Sequence, residues 1–285
     1  MRPSFVPFPL RQLCGRAAKK GQFPERKDYC MKKSSLKFLC VAVCCLMMFP
    51  LMVGFAPEKA TTLKVATWNI LHGNDVMEAQ HRQIIFMGAD VIALQEVDEK
   101  TERVDGKSCL EYLGKGRYYF NSFAKEMDYK GGEYGLGIMS KYYFGNEKSS
   151  FREGGNLARD GFMKVEMQKD GKMISVYNVH FSYQSDYERQ RQIQLAADVF
   201  AADPNRYKIL MGDFNIKNFD ELAPFADFNM LSTEEKPLKT YHGRDWDTKC
   251  LDNIIYTDTL VLKKSKMVYS ELSDHDALTA EFEMR

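Results

Sequence analysis

Eight polar residues with chemically useful side chains lie at or just beyond the ends of apolar stretches in this sequence of 285 residues. Carboxylates, carboxamides and imidazoles are the side chains that bind divalent cations and transfer protons. Residues at the ends of strands can converge on one edge of a sheet structure and be held there by a rigid scaffold. The sequence therefore predicts a polar site built from Asn69, Glu96, His180, Asp213, Asn215, Asp252, Asp274 and His275.

Each of these residues also has an ordinary structural explanation. An asparagine that follows a strand is a common turn former, and Asp213 with Asn215 fits an Asx turn. Glu96 is followed by a run of charged residues, where a solvated surface charge is the simpler interpretation, and Ser273-Asp274-His275 fits a turn or a helix cap. The hypothesis of a site therefore depends on all eight residues occurring together.

The apolar stretches predict the elements that position these residues. Leu63–Asn69 alternates as a half-buried strand does, whereas Asp90–Val97 is almost continuously apolar, as in a strand covered on both faces. Asp186–Ala202 carries apolar residues at helical spacing. Further strands are predicted at Tyr118–Ala124, Gly135–Ser140, Tyr142–Ser149, Phe162–Gln168, Met173–Phe181, Tyr207–Gly212, Leu251–Thr257, Leu260–Val268 and Ala277–Glu283, and further helices at Val76–Met87, near Leu110 and at Lys217–Ala223. Many strands with few helices, in mixed order, predict an α/β (α+β) fold of two packed mixed β-sheets flanked by helices.

The first 56 residues differ in composition from the rest of the chain. Residues 1–30 contain seven Lys or Arg, two acidic residues and no apolar periodicity, which indicates a non-native extension upstream of a start at Met31. From Met31, a start that carries lysines is followed by the apolar run Phe38–Phe55 and then by Ala56. Ala56 is a small residue after which a signal peptidase can cleave. Residues 31–56 are therefore predicted to be a signal peptide.

Two other interpretations of the apolar run are open. An uncleaved membrane anchor is compatible with its length, although Pro50 interrupts it and no basic cluster follows closely. A lipid-modified cysteine needs a small residue before it, and Val43 before Cys44 fits this poorly. Cleavage is the favoured interpretation, so we expect export to the periplasm, the cell surface or the medium.

Residues 57–285 form the predicted domain, and their composition differs from the average of the chain. They retain 30 basic and 37 acidic residues, a formal charge of −7, against +1 for the whole chain. The formal charge of +1 for the whole chain already excludes a strongly basic protein that coats nucleic acid. Of seven cysteines, Cys109 and Cys250 remain, and their spacing leaves open whether they pair in an exported protein.

Taken in order, the motifs of the domain resemble the endonuclease/exonuclease/phosphatase superfamily of metal-dependent phosphohydrolases. The resemblance extends from Leu63 to Phe282 and implies a four-layer α/β sandwich, in agreement with the two sheets predicted from periodicity. The motifs are Thr67-Trp68-Asn69-Ile70, Ala93-Leu94-Gln95-Glu96-Val97, Tyr134-Gly135-Leu136-Gly137-Ile138-Met139-Ser140, Asn178-Val179-His180, Gly212-Asp213-Phe214-Asn215, Leu251-Asp252-Asn253-Ile254-Ile255-Tyr256 and Ser273-Asp274-His275.

The resemblance implies a site for a hard divalent cation, Mg²⁺ with Mn²⁺ as the alternative. Glu96 would be the principal ligand, with Asn69 beside it and Asp274 as a further carboxylate. Oxygen ligands from a few side chains, with several waters retained, suit Mg²⁺.

The resemblance also implies roles in catalysis. His275 would be the general base that activates water, and Asp252 would orient its imidazole. Asp213 and Asn215 would position the nucleophile and the phosphoryl oxygens. His180 would donate a hydrogen bond to the phosphate as negative charge develops.

These roles imply an exported hydrolase of phosphoric esters, a phosphodiesterase or a phosphatase, in which water attacks phosphorus in line. The substrate would be a small molecule, a lipid or sugar phosphate, or a nucleic acid, and the acidic charge mildly favours the smaller molecules. A secreted endonuclease or exonuclease of the same fold is the alternative. A non-catalytic binding module at the cell surface is the alternative from another class. No obligate protein partner is evident.

The sequence departs from the family pattern around Asp252, where Leu251 and Asn253 replace a basic residue and an aromatic or histidine. This departure affects the expected substrate contacts more than the catalytic role of Asp252. Weaker candidates for residues that line the cleft are His72, Arg159, His242 and Trp246.

Overall fold

Two six-stranded β-sheets form the framework of the computed structural model. The structure describes residues 61–72, 76–148, 161–243 and 248–285, which belong to one compact unit, Lys59–Arg285. The predicted extension and signal peptide, residues 1–56, lie outside the described residues, as do Arg159 and Trp246. What the sequence indicates about these parts stays a prediction.

The first sheet contains β1 (Thr61–Asn69), β2 (Val91–Glu99), β3 (Phe120–Tyr129), β4 (Gly132–Ser140), β13 (Leu260–Val268) and β14 (Ala277–Met284). Its strand order is β13-β14-β1-β2-β4-β3. The central strands β1 and β2 are parallel, and the other neighbouring strands are antiparallel. The sheet is therefore mixed, as predicted.

The second sheet contains β5 (Phe144–Lys148), β6 (Phe162–Lys169), β7 (Lys172–His180), β8 (Tyr207–Asp213), β9 (Asn229–Met230) and β12 (Asp252–Tyr256). Its order is β5-β6-β7-β8-β12-β9, with β7 and β8 parallel and the other pairs antiparallel. A separate hairpin joins β10 (Tyr241–His242) to β11 (Thr248–Lys249).

The helices cover the outer faces of the sheets. They are α1 (Met77–Met87), α2 (Cys109–Gly114) and α3 (Asp186–Ala202), with 3-10 turns at Glu102–Val104 and Phe219–Phe225. The helix α3 begins after Ser185, whose hydroxyl accepts a hydrogen bond from the Glu188 amide at 3.3 Å and so caps the helix. No helix among the described residues is long and apolar enough to cross a membrane.

Side-chain alternation along the strands produces three apolar layers. Leu63 in β1 and Met211 in β8 belong to the cluster shared by the two sheets. Trp68 in β1 packs with residues of α1 and α2, whereas Leu210 in β8 packs with Phe200 of α3. The order of helices, sheet, sheet and helix is the predicted four-layer sandwich, which is confirmed.

The predicted elements differ from the structure mainly at their ends. β3 continues to Tyr129, beyond the predicted end at Ala124, because it pairs with β4 over its whole length. The segment predicted as a helix at Lys217–Ala223 is the 3-10 turn Phe219–Phe225, which contains Pro224. β9, β10 and β11 were not predicted, since two residues are too few to show a periodicity.

A buried polar network links the two sheets. Nε2 of Gln95 in β2 donates to Asn178 Oδ1 in β7 at 2.6 Å and to Thr67 Oγ1 in β1 at 3.1 Å. Nδ2 of Asn178 donates in turn to the carbonyls of Leu94 and Gly137, both at 2.9 Å. Buried polar groups are costly unless they are hydrogen-bonded, so the network favours the one alignment of the sheets that satisfies it.

Gly212 determines how closely β8 approaches β7. Its φ is +148°, and a Cβ there would lie 2.0 Å from the carbonyl oxygen of Val179. Glycine, which has no Cβ, avoids both the steric clash and the backbone strain. Because Asp213 follows directly, the position of that carboxylate depends on the close approach.

We predict that Gly212→Ala lowers the free energy of unfolding by more than about 3 kcal/mol, through overpacking and backbone strain together. Gly171→Ala, in the turn between β6 and β7, is the matched control, because φ is also positive there but no atom lies within 4 Å of a Cβ. The control is expected to lose only about 1 kcal/mol. Urea unfolding followed by circular dichroism measures both, and equal losses would contradict the steric explanation.

Candidate active site

Strand pairing in the second sheet brings three of the predicted residues together. Asp213, the last residue of β8, lies opposite His180, the last residue of β7, and opposite Asp252, the first residue of β12. These side chains therefore meet where β7 and β8 end and β12 begins.

Glu96 reaches the site through a β-bulge in β2. Leu94 lies opposite Gly137 and Val97 opposite Gly135, so β2 has one residue more than β4 between these pairs. Glu96 has a φ of +59°, which is uncommon for a residue with a side chain. A bulge of this kind redirects a side chain relative to the regular alternation of the strand.

Asn69 at the end of β1 connects two carboxylates of the site. Its Nδ2 donates to Glu96 Oε1 and to Asp213 Oδ2, each at 3.1 Å. Burial raises the pKa of Glu96, but the charge of His180 and the hydrogen bonds from Asn69 and Tyr134 lower it below its ordinary value overall. Glu96 is therefore ionised at neutral pH.

His275 and Asp252 form a buried hydrogen-bonded pair, with Nδ1 of the imidazole 2.7 Å from Asp252 Oδ2. Burial lowers the pKa of His275, but the charge and hydrogen bond of Asp252, with the charges of Asp213 and Asp274, raise it to about 9. Nε2 lies 3.7 Å from Asp213 Oδ2. Asp252 thus fixes the ring so that Nε2 faces Asp213.

The segment before β14 is fastened to β1, which holds the backbone of His275 in place. The Ser273 hydroxyl donates to the Asn69 carbonyl at 2.7 Å and accepts from the His275 amide at 3.1 Å. Nε1 of Trp68 donates to the His275 carbonyl at 2.9 Å. The ring of Tyr241 packs edge-on against the imidazole, with 5.1 Å between ring centroids.

Asp213 is the central carboxylate of the site, and its side chain is buried. Burial raises its pKa to about 6, although the charges of His275 and His180 act in the opposite direction. Its Oδ1 accepts from the Asn215 amide at 2.9 Å. The Asn215 side chain donates to the Phe181 carbonyl at 3.0 Å, which fixes it beside the cleft.

His180 is held by a carboxylate that sequence reasoning did not single out. Its Nδ1 lies 3.5 Å from Glu126 Oε2, and its Nε2 lies 3.9 Å from Asp213 Oδ2. Burial lowers the pKa of His180, but the charge and hydrogen bond of Glu126 raise it to about 10. The imidazole is therefore a cation at neutral pH and a hydrogen-bond donor at both nitrogens.

Glu126 reaches His180 through a second bulge, on the other side of β4. Lys125 lies opposite Gly135 and Met127 opposite Tyr134, so Glu126 is the extra residue in β3. Gly135 is opposite both bulged strands, and a Cβ there would lie 2.0 Å from the carbonyl oxygen of Ala124. The polar stretch around Glu126 carries no periodicity, so the sequence gives no signal for this contact.

These side chains surround a cleft of about 610 Å³. Six of the eight predicted residues line it, and Asn69 and Asp252 lie behind them as hydrogen-bond partners. The structure therefore brings all eight together at one edge of the sandwich. The six lining residues are Glu96, His180, Asp213, Asn215, Asp274 and His275.

A model of the Endonuclease/Exonuclease/phosphatase family matches residues 66–275, which is most of the chain. The chain belongs to this family. The residues that line the cleft, from Glu96 to His275, lie within the matched range, so the chain has the phosphoesterase fold of the family. No curated protein sequence matches the chain.

Solved structures of the family share this fold at low sequence identity. The endonuclease/exonuclease/phosphatase of Beutenbergia cavernae is 18% identical, with a TM-score of 0.62, over 78% of this chain and 72% of its own. The Bacteroides vulgatus protein is 18% identical, with a TM-score of 0.62, over 79% of this chain and 100% of its own. D. rerio TDP2, complexed with a single strand DNA product, is 15% identical, with a TM-score of 0.60, over 79% and 100%.

The family's requirement for a divalent cation fits the Glu96 side of the cleft. Glu96 and Asp274 both line the cleft, and Asn69 contacts Glu96. Carboxylate and carboxamide oxygens are the donors that hard cations prefer, and the predicted ligands include no thiolate. Glu96 and Asp274 are thus the carboxylates that would hold the cation.

A second group, Asp213, Asp252 and His275, has ligand atoms within 4.8 Å of one another. A metal ion could be held by such a group. However, the distance of 2.7 Å between His275 Nδ1 and Asp252 Oδ2 is that of a hydrogen bond, which a cation bound to both atoms would replace. The geometry therefore favours a proton-transfer role for this group.

The other histidines differ in their relation to the cleft. The pKa of His72 is lowered by burial and by the charge of Arg103, while the charges of Glu96 and Asp274 act against this. His72 therefore lies within electrostatic range of the carboxylates. His242 is paired with Asp276 at 3.3 Å and does not line the cleft.

We predict that Glu126→Gln lowers the pKa of the His180 imidazole well below its value of about 10, because the carboxylate that stabilises the cation is lost. Two-dimensional NMR of the imidazole as a function of pH measures this change. Glu133→Gln is the matched control, since Glu133 is a neighbouring carboxylate that pairs with Lys125 at 3.2 Å. An unchanged His180 titration in Glu126→Gln would show that Glu126 does not hold this proton.

Proposed function

We propose that the protein hydrolyses phosphoric esters with the help of a divalent cation, Mg²⁺ with Mn²⁺ as the alternative. The observation that carries this proposal is the buried pair of His275 and Asp252 beside Asp213, in the same cleft as Glu96 and Asp274. One cleft thus offers a base, an orienting carboxylate and the ligands of a hard cation.

His275 is the group that accepts the proton of the attacking water. Its Nδ1 is engaged by Asp252, so Nε2 is the nitrogen available for this step. Because its pKa is about 9, the imidazole is mostly protonated at neutral pH, and the neutral form that accepts the proton becomes more populated as the pH rises towards 9. The carboxylates that raise this pKa also stabilise the imidazolium that forms. Asp213, 3.7 Å from Nε2, is placed to orient the water.

His180 is placed to stabilise the charge of the phosphoryl group. It lies on the other side of Asp213, and Glu126 keeps it protonated, so it can donate to a phosphoryl oxygen. A preorganised donor of this kind stabilises charge that develops in the transition state. A cation bound at Glu96 and Asp274 would supply further neutralisation of that charge.

The substrate is proposed to be a small phosphorylated molecule or a lipid or sugar phosphate. Residues 57–285 carry a formal charge of −7, which disfavours long electrostatic contact with a duplex. A nuclease is the second candidate, because the fold is shared with D. rerio TDP2, whose structure contains a single strand DNA product. No obligate protein partner is proposed.

Hydrolysis assays on the full-length chain separate these candidates from a binding module. Plasmid DNA, RNA, sphingomyelin, phosphoinositides and a bis-aryl phosphodiester are each assayed with Mg²⁺, with Mn²⁺ and with EDTA. We expect turnover with a divalent cation that EDTA abolishes. Binding of a phosphate ester by the folded protein without any turnover would favour the binding module.

We predict that His275→Ala and Asp213→Asn each reduce turnover by about 10²–10³-fold while the protein stays folded, since each removes one preorganised group of the site. His81→Ala is the matched control, because the His81 ring contacts the Leu113 carbonyl between α1 and α2, outside the cleft. A His275→Ala protein that keeps more than about a tenth of the activity would contradict the assignment of the base.

We further propose that the protein is exported and that residues 31–56 are removed as a signal peptide. The support is the lysine-bearing start and the apolar run Phe38–Phe55. Sequencing the mature N-terminus after expression is expected to find a start at Pro57. A protein that retains the run and needs detergent for extraction would instead be membrane-anchored.

A further inference from the structure

The cleft continues beyond the groups used in the proposed reaction. Two segments extend its wall, one after Asn215 (216–219) and one before Asp252 (248–251), and Tyr183 also lines it. A volume of about 610 Å³ is in the range of sites that hold a whole small molecule and exceeds the needs of one phosphate. The organic part of a substrate therefore has a place in this extension.

Among the described residues that line the cleft, the acidic residues and the lysines belong to different segments. The acidic lining residues are Glu96, Asp213 and Asp274, all of which belong to the catalytic cluster. The added segments contribute Lys217 and Lys249 and no acidic residue. Two ammonium groups thus line one part of the cleft of a domain whose formal charge is −7.

Lys217 is anchored while its ammonium group stays accessible. Its Nζ lies 2.7 Å from Asp186 Oδ1, at the first turn of α3, and its side chain is 63% exposed. A single exposed carboxylate leaves donor capacity on an ammonium group, which has three hydrogens. Lys217 can therefore bind an anion without leaving Asp186.

Lys249 is connected to the catalytic histidine through the β10–β11 hairpin. It pairs with Tyr241 across the hairpin, and its Nζ lies 5.7 Å from the Tyr241 ring centroid. The same ring packs against His275. An anion bound by Lys249 would thus lie close to the residues that surround the reacting phosphate.

Aromatic side chains complete this part of the cleft. Tyr183, which is 68% exposed, and Phe219 both line the cleft. Aromatic rings beside ammonium groups suit a ligand that has a ring as well as a negative charge. We define Tyr183, Lys217, Phe219 and Lys249 as the lysine arm.

We propose that the lysine arm binds a second phosphate, carried by a ring in the organic part of the substrate. This inference rests on the proposed function, because the first phosphate is the one placed at the catalytic cluster. The second phosphate can belong to a nucleoside or to a cyclitol, since both place two phosphates on one ring-containing molecule. The lysine arm would make the enzyme selective for substrates with two phosphates over those with one.

Binding is measured by calorimetry on the full-length chain in EDTA, with two pairs of ligands. The pairs are adenosine 5′-monophosphate with adenosine 3′,5′-bisphosphate, and inositol 1-phosphate with inositol 1,4-bisphosphate. In at least one pair, we expect the bisphosphate to bind about tenfold more tightly, as a charge-assisted hydrogen bond allows. The pair that shows the preference identifies the kind of ring.

Variants test whether the lysine arm causes this preference. Lys217→Met and Lys249→Met are each expected to reduce the ratio of bisphosphate to monophosphate affinity by about threefold or more. Asp186→Asn should increase this ratio, because it removes the carboxylate that competes for Lys217. Lys263→Met is the matched control, because Lys263 pairs with Glu283 at 2.8 Å on β13, outside the cleft. The control should leave the ratio unchanged.

Equal affinities for the monophosphate and the bisphosphate in both pairs would contradict the proposal that the lysine arm binds a second phosphate. A preference that survives both lysine substitutions, or that Lys263→Met reduces equally, would also overturn it. Neither result bears on the proposed function, which is tested by metal-dependent turnover of simple esters. Conversely, a bisphosphate preference without turnover would support the lysine arm and contradict the proposed reaction.

Discussion

The buried carboxylate of Asp213 is the constraint on which the site depends. Its side chain is 2% exposed, and an isolated charge at such a position would be very unfavourable. The carboxamide of Asn69 and the imidazoles of His275 and His180 surround it. These partners come from β1, from the segment before β14 and from β7, so the fold must bring both sheets together to stabilise one charge. The proposed chemistry uses the same groups.

Bulges in β2 and β3, the two strands that flank β4, bring two carboxylates of the site into position. Glu96 is one of the two residues of the bulge in β2, Glu126 is the extra residue of the bulge in β3, and Gly135 lies opposite both strands. One bulge places Glu96 beside Asn69, and the other places Glu126 beside His180. The glycine at position 135 is explained by the close approach of the β3 backbone, because a Cβ there would lie 2.0 Å from the carbonyl oxygen of Ala124. Without the bulges, the side chains of Glu96 and Glu126 would point in a different direction.

Much of the fold could be predicted from the sequence, because apolar periodicity and strand ends are local properties. Apolar periodicity predicts the long strands and α3, positions at strand ends predict the eight site residues, and the family motifs imply their roles. Glu126 and Tyr134 received no role, since their partners are distant in sequence and become neighbours through bulges. The hairpin of β10 and β11 was missed because its strands have two residues each. The spacing of Cys109 and Cys250 does not determine whether they pair, and the structure shows both as free thiols.

The sequence by itself determined the kinds of element, the family and the chemical types of the side chains at the strand ends. These follow from the order of residues, since burial of one strand face and the turn at its end depend on near neighbours in the chain. Only the tertiary structure decided that Glu126 holds His180 and that Lys217 and Lys249 share the cleft with the site residues. It also gave the 2.7 Å contact between Asp252 and His275, whose roles the family motifs implied. Such relations depend on distances of a few ångströms between residues far apart in sequence, which are set by the packing of two sheets and by the bulges in their strands.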